Sequence, residues 1–79
     1  MDYFVYILYS QEHDRYYIGH SKDINRRIAE HNIRKNLGAS DWELKYSELF
    51  DNRSGAMQRE AAIKKMKSRK YIETLIVGT

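Results

Sequence analysis

The chain contains no cysteine. That excludes a disulfide framework and any thiolate metal site, and it suits a reducing compartment, the cytoplasm. It also lacks a long apolar run. The longest, Tyr3 to Tyr9, is far too short to span a membrane. No basic segment precedes that run and no small-residue cleavage site follows it, so no signal peptide is expected. There is no internal repeat, low-complexity tract or linker, and 79 residues make one domain, 1–79. A chain this short buries only about 60% of the surface its unfolded form exposes, so one small core of marginal stability is expected. An excess of either charge is scarce too. Fourteen Lys and Arg stand against eleven Asp and Glu, a net charge of +3. This permits a polyanionic partner without requiring one.

What is present has a clear order. Residues 2–10, DYFVYILYS, are rich in Tyr, Val, Ile and Phe and read as a strand. QEHD is a polar turn, and RYYIGH reads as a second strand, antiparallel to the first. Residues 21–35, SKDINRRIAEHNIRK, switch to helical periodicity, with Ile24 and Ile28 four apart and Ser21 or Asp23 as cap. NLGAS is a loop. In DWELKYSELF, Trp42, Leu44 and Tyr46 alternate with polar residues, which predicts a half-buried strand. DNRS is a turn with several N-cap candidates. GAMQREAAIKKMKS predicts a helix with Ala56, Ile63 and Met66 inward. RKYIETLIV continues as a shorter helix or as the same helix bent, with Ile72, Leu75 and Ile76 as its apolar stripe. The pattern is β-β-α-β-α-α: an α+β domain with a small three-stranded antiparallel sheet flanked by helices.

Four features exceed what such a fold needs. Arg27 and His31 are four apart and share one helix face, beside Ile24 and Ile28. The bland readings are a snorkelling arginine and a histidine favoured by the helix macrodipole. Glu60 falls on the stripe of Ala56 and Ile63, where an ionised carboxylate is costly unless compensated. The bland alternative is an exposed pair with Lys64, one turn on. Seven tyrosines are many for this length, and Tyr6 and Tyr17 fall on neighbouring predicted strands. A strand tyrosine is most often a core residue with its hydroxyl at the rim. Finally, Lys64, Lys65, Lys67, Arg69 and Lys70 form a basic run. Such a run is usually a solvated face, and can equally hold phosphates with salt-dependent affinity.

Taken together, FVYIL, YYIGHSKDINRRIAEHN and RSGAMQREAAIKKMK resemble the GIY-YIG nuclease superfamily, in particular its small stand-alone members, related to excision-repair and homing nuclease domains. The family's second triplet is intact as Tyr17-Ile18-Gly19. The family arginine falls on Arg27, the His or Tyr on His31, and the glutamate of the later helix on Glu60, followed by Ile63-Lys64. Two departures stand out. The first triplet reads Phe4-Val5-Tyr6, without its glycine, and no Asn follows the Glu60 helix where many members carry one.

The resemblance implies phosphodiester hydrolysis, with a place in repair or recombination. Glu60 would hold one Mg²⁺ or Mn²⁺, Arg27 would contact the scissile phosphate, and Tyr6 or Tyr17 would act in deprotonating water. A free tyrosine has a pKa of about 10, so its phenolate needs nearby cations, which Arg27, His31 and the metal would supply. His20 would assist in base chemistry or bind phosphate. Lys64, Lys65, Lys67 and Lys70 would contact the nucleic-acid backbone. No small-molecule cofactor and no membrane partner are implied. Three readings stand at this level: a metal-dependent DNA endonuclease, a nucleic-acid-binding module that keeps the fold and cleaves little, and a structural or protein-interaction domain. Duplex, branched or single-stranded DNA, and RNA, all remain open as substrates.

Overall fold

A computed structural model describes residues 2–78. Strands β1 (Tyr3–Ser10), β2 (Arg15–Ser21) and β3 (Trp42–Phe50) form one antiparallel sheet of order β2-β1-β3. Helix α1 (Ile24–Ile33) lies between β2 and β3 in sequence, and α2 (Arg53–Met66) and α3 (Arg69–Val77) follow β3. The α+β fold and the element order agree with the reading from sequence. Among the described residues no helix is long and apolar enough to cross a membrane.

Each helix starts on a residue that supplies the missing acceptor for its first free N–H groups. Asp23 accepts from the Arg26 amide at 3.0 Å, Asn52 from Gly55 at 2.8 Å and Ser68 from Tyr71 at 3.1 Å. Of the two α1 candidates, Asp23 is therefore the cap, and Ser21 instead ends β2 and braces the turn into the helix. Helix α2 ends where Lys67 takes a left-handed conformation at φ 48°. The apolar stripe of residues 69–77 thus belongs to a separate helix.

β1 is the central strand and is buried on both faces: Val5, Ile7 and Leu8 are completely covered. Alternation along it splits the interior into two clusters. Val5, Ile7 and Ile18 pack with Ala56 and Ile63 of α2, closed by Tyr46, Phe50 and the α3 residues Ile72, Leu75 and Ile76. Tyr6 and Leu8 pack on the other face with Ala39 and Trp42, under Ile24 and Ile28 of α1. Two features differ from the sequence reading. The alternation of Trp42, Leu44 and Tyr46 does not mark one face. The pairing shifts between Ile7 opposite Tyr46 and Leu8 opposite Leu44, so Lys45 is the extra residue of a β-bulge. Trp42 consequently faces α1 and Tyr46 faces α2. Met66, expected inward, is 53% exposed because the helix stops there.

Polar ties hold the layers together. Asn32 at the end of α1 clasps the first residue of β3. Its amide oxygen accepts from Trp42 N–H at 2.7 Å and its amide nitrogen donates to the Trp42 carbonyl at 3.2 Å. On the opposite face, Arg59 grips Glu48 through Nε and Nη2 at 3.0–3.1 Å and reaches the Tyr71 hydroxyl at 3.3 Å. Arg69 joins α3 to the β1–β2 turn through Asp14 and stacks over Tyr16.

Candidate active site

β2 is an edge strand, so its two faces meet at an open side of the sheet. Residues alternate across it. Tyr17 and Gly19 face α1, opposite Leu8 and Tyr6 of β1, while His20 lies opposite Val5 on the α2 side. A cleft of about 140 Å³ wraps this edge and is lined by Tyr6, Tyr17, Gly19, His20, Arg27 and Glu60. Five of these six were candidates by sequence, and Gly19 completes them.

The glycine is the element that makes the cleft. A Cβ built at position 19 would stand 2.6 Å from the Tyr6 hydroxyl, 2.8 Å from its Cζ and 3.1 Å from Cε1 of Tyr17. The missing side chain therefore lets the Tyr6 phenol cross the edge strand and lie beside Tyr17, ring centroids 6.4 Å apart. The two tyrosines share one sheet face, as their register on adjacent strands requires. Burial pushes the Tyr6 hydroxyl above the ordinary tyrosine pKa, and the nearby Arg27 guanidinium works against this without reversing it. With Arg27 as its neighbouring cation, Tyr6 remains a neutral phenol at physiological pH.

Arg27 projects from α1 onto the same volume. Its side chain is 45% exposed, and its Nη1 donates to Glu30 Oε1 at 3.1 Å. Glu30 also accepts from Arg26, one turn before it. One turn beyond Arg27, His31 is buried at 9% exposure, its ring 4.5 Å from that of Tyr17 and 6.5 Å from that of Tyr6. It does not sit in solvent at the helix end. Burial, with Arg27 nearby, holds the imidazole below its ordinary pKa and thus neutral near pH 7. His31 Nε2 is covered and has no hydrogen-bond partner among the described residues. A second hollow, lined by Tyr17, Arg27, Glu30, His31, Arg34 and Asn36, continues from the first through the shared Tyr17 and Arg27.

Glu60 comes from α2, across the edge strand. Its side chain is 17% exposed and both oxygens are engaged: Oε1 with His20 Nδ1 at 2.6 Å, Oε2 with Lys64 Nζ at 2.7 Å. Burial raises the carboxyl pKa, but Lys64 and His20 outweigh it and hold the group below the usual glutamate value. The pair with Lys64 exists, yet it is part of a partly buried triad and not an isolated surface pair. The His20 partner was not foreseen. Its signal lay in the alternation of β2, which turns the residue after Gly19 toward the helix that carries Glu60.

The basic residues divide. Lys64 is committed to Glu60. Lys65, Lys67 and Lys70 are exposed and straddle the break between α2 and α3, so the run is not one helix face. Arg69 is held by Asp14 and Glu73. Among the described residues no three His, Cys, Asp or Glu side chains cluster to cage a metal. A single hard carboxylate with spare lone pairs, opening on a cleft of this size, does fit one divalent ion that keeps most of its waters.

Comparison with known proteins places the fold and the family. The sequence model of the GIY-YIG catalytic domain matches residues 2–72. A UPF0213 protein of Natronomonas pharaonis is 38% identical over 95% of this chain and 91% of its own length. Another from Halobacterium salinarum is 40% identical over 65% of this chain and 71% of its own. The solution NMR structure of a UPF0213 protein from Bacillus halodurans superposes with a TM-score of 0.62 at 30% identity, covering 98% of this chain and 84% of that one. On the match of the family model over most of its length and on the matching fold, the chain belongs to the GIY-YIG family, a nuclease-type fold.

Proposed function

We propose that the cleft at the β2 edge hydrolyses phosphodiester bonds in DNA, as a metal-dependent endonuclease acting in the cytoplasm in repair or recombination. The observation that carries this reading is the convergence of Tyr6, Arg27 and Glu60 through the gap at Gly19. A guanidinium, two phenols and one carboxylate are what an attack on a phosphate requires: charge neutralisation, a proton path and a seat for a cation.

Glu60 is the group that would hold Mg²⁺ or Mn²⁺, and the ion would supply positive charge at the phosphate and at the attacking water. Arg27 binds a non-bridging phosphate oxygen, exchanging part of its contact with Glu30 for a charge-assisted bond that strengthens as negative charge builds. Tyr6, kept neutral by burial, donates its O–H to the phosphate. Tyr17 holds the attacking water from the α1 side of the cleft, with the His31 ring packed against its own at 4.5 Å. Lys65, Lys67 and Lys70 contact the backbone outside the cleft.

A second reading has its own observation. Both Glu60 oxygens are occupied by side chains, and no Asn follows the α2 helix. A protein with this site could bind nucleic acid and cleave little. One experiment separates the two: incubation of the pure protein with linear, flap and branched DNAs, with Mg²⁺, Mn²⁺ or EDTA. Cutting that EDTA abolishes supports the enzyme. Retention of DNA without cutting in either metal supports the binding module.

A further inference from the structure

The residue after Gly19 is a histidine placed against the one carboxylate of the cleft. His20 Nδ1 lies 2.6 Å from Glu60 Oε1. Both side chains are partly buried, at 23% and 17% exposure, and they come from different elements, β2 and α2. Neighbouring ligands on a small octahedral ion stand about 3 Å apart, given metal–oxygen distances of about 2.1 Å. The pair needs to part by only a few tenths of an ångström to admit an ion between Nδ1 and Oε1.

We infer that His20 and Glu60 form a two-residue ligand set, and that His20 biases the cleft toward first-row transition ions over Mg²⁺. The inference rests on the reading of Glu60 as the metal carboxylate. An imidazole nitrogen adds little for Mg²⁺, which takes oxygen, and much for Mn²⁺, Co²⁺ or Ni²⁺ in rising order. Nδ1 now donates its N–H to Glu60, so an entering ion displaces that proton, which passes to water or to Nε2, and His20 ligates through the freed Nδ1 lone pair. Lys64 stays on Oε2 and balances the carboxylate charge. With two protein ligands the remaining positions belong to water and to substrate oxygens, which makes the site weak and open.

The test is direct ion binding. Calorimetric titration of the folded protein with Mg²⁺ and with Co²⁺ is compared between the unmodified chain, His20→Asn and Glu60→Gln. Binding of Co²⁺ should weaken about tenfold or more in His20→Asn, the usual scale for a disturbed metal shell, while Mg²⁺ binding changes less than about twofold. Glu60→Gln should lose both. His13, which bonds the Gly38 carbonyl at 2.9 Å on the surface, provides the control: His13→Gln should change neither. Equal weakening of both ions in His20→Asn would reduce His20 to a residue that orients Glu60. No weakening, or loss of Co²⁺ in the His13 variant, would also overturn the ligand pair. Because binding is measured without DNA, absence of cleavage would sink the enzymatic reading and leave this one standing, and the converse holds as well.

Discussion

Gly19 stands directly opposite Tyr6 across the β1–β2 ladder, and the phenol fills the space that a side chain at position 19 would occupy. The two residues are thus one unit: a glycine on the edge strand and the ring it admits. Gly19→Ala should destabilise the fold by about 1–3 kcal/mol, the range for overpacking a fitted interior, because the contacted atoms belong to ring systems with little room to turn. A shift of the urea midpoint at unchanged slope checks it. An alanine variant as stable as the parent would mean the ring moves freely.

Removing charge at the centre should cost activity and little stability. Glu60→Gln and Arg27→Ala should each lower cleavage on the order of a hundredfold or more, as for a lost charge-stabilising group. Melting temperature should change little for the half-exposed Arg27 and fall modestly for Glu60→Gln, which weakens the contacts with His20 and Lys64. The Glu60 change should also erase the dependence on Mg²⁺ concentration, whereas Arg27→Ala should leave metal binding measurable. A Glu60→Gln protein that cuts normally would remove Glu60 from the reaction.

The exposed lysines address the backbone contact. Neutralising Lys65, Lys67 and Lys70 together should weaken binding to all DNA sequences alike and reduce the slope of log affinity against log salt by about three. Lys64 is left out because it balances Glu60. An unchanged slope would make the three lysines a solvated face at the helix break.

His31 sets a pH dependence of stability. The ring is packed among Tyr17, Tyr6 and Trp42, with Arg27 and Glu30 on its own helix, and its pKa in the folded protein lies below the ordinary 6.5. As pH falls below about 6.5, the unfolded chain takes up a proton that the folded one refuses, so stability should fall. Above that value the contribution is fully present. Denaturant midpoints between pH 7.5 and 5 should show this decline, and His31→Gln should flatten it. Equal slopes for both proteins would assign the acid sensitivity to other groups.

Much of this was legible in the sequence, and the parts that were not share a cause. Strand and helix periodicities placed the three strands and three α-helices within about three residues, while the cap was left between Ser21 and Asp23 and the 3-10 turn at Asn36–Gly38 was read as loop. Arg27 and His31 were paired correctly because helical spacing is local. The bulge at Lys45 was hidden, since one inserted residue leaves the alternation of Trp42, Leu44 and Tyr46 intact while sending its ends to opposite faces. The contact of Arg59 with Glu48 joins elements distant in sequence and has no local signature, and the alternation of β2 gave the side of the sheet on which His20 lies but not its partner. Among the described residues, the left-handed conformations of Lys35, Leu37 and Lys67 likewise carry no compositional mark.

The central position of β1 has a kinetic consequence. Both interior clusters hang on this one strand, Tyr6 belonging to one and Val5 and Ile7 to the other. Glu60 reaches the cleft from the helix of the second cluster and Arg27 from the helix of the first. Neither half can open without dispersing the site, so no partly unfolded form should retain it. Amide exchange in β1 should therefore proceed only through global opening. The arrangement makes the geometry of the cleft a readout of the entire native state.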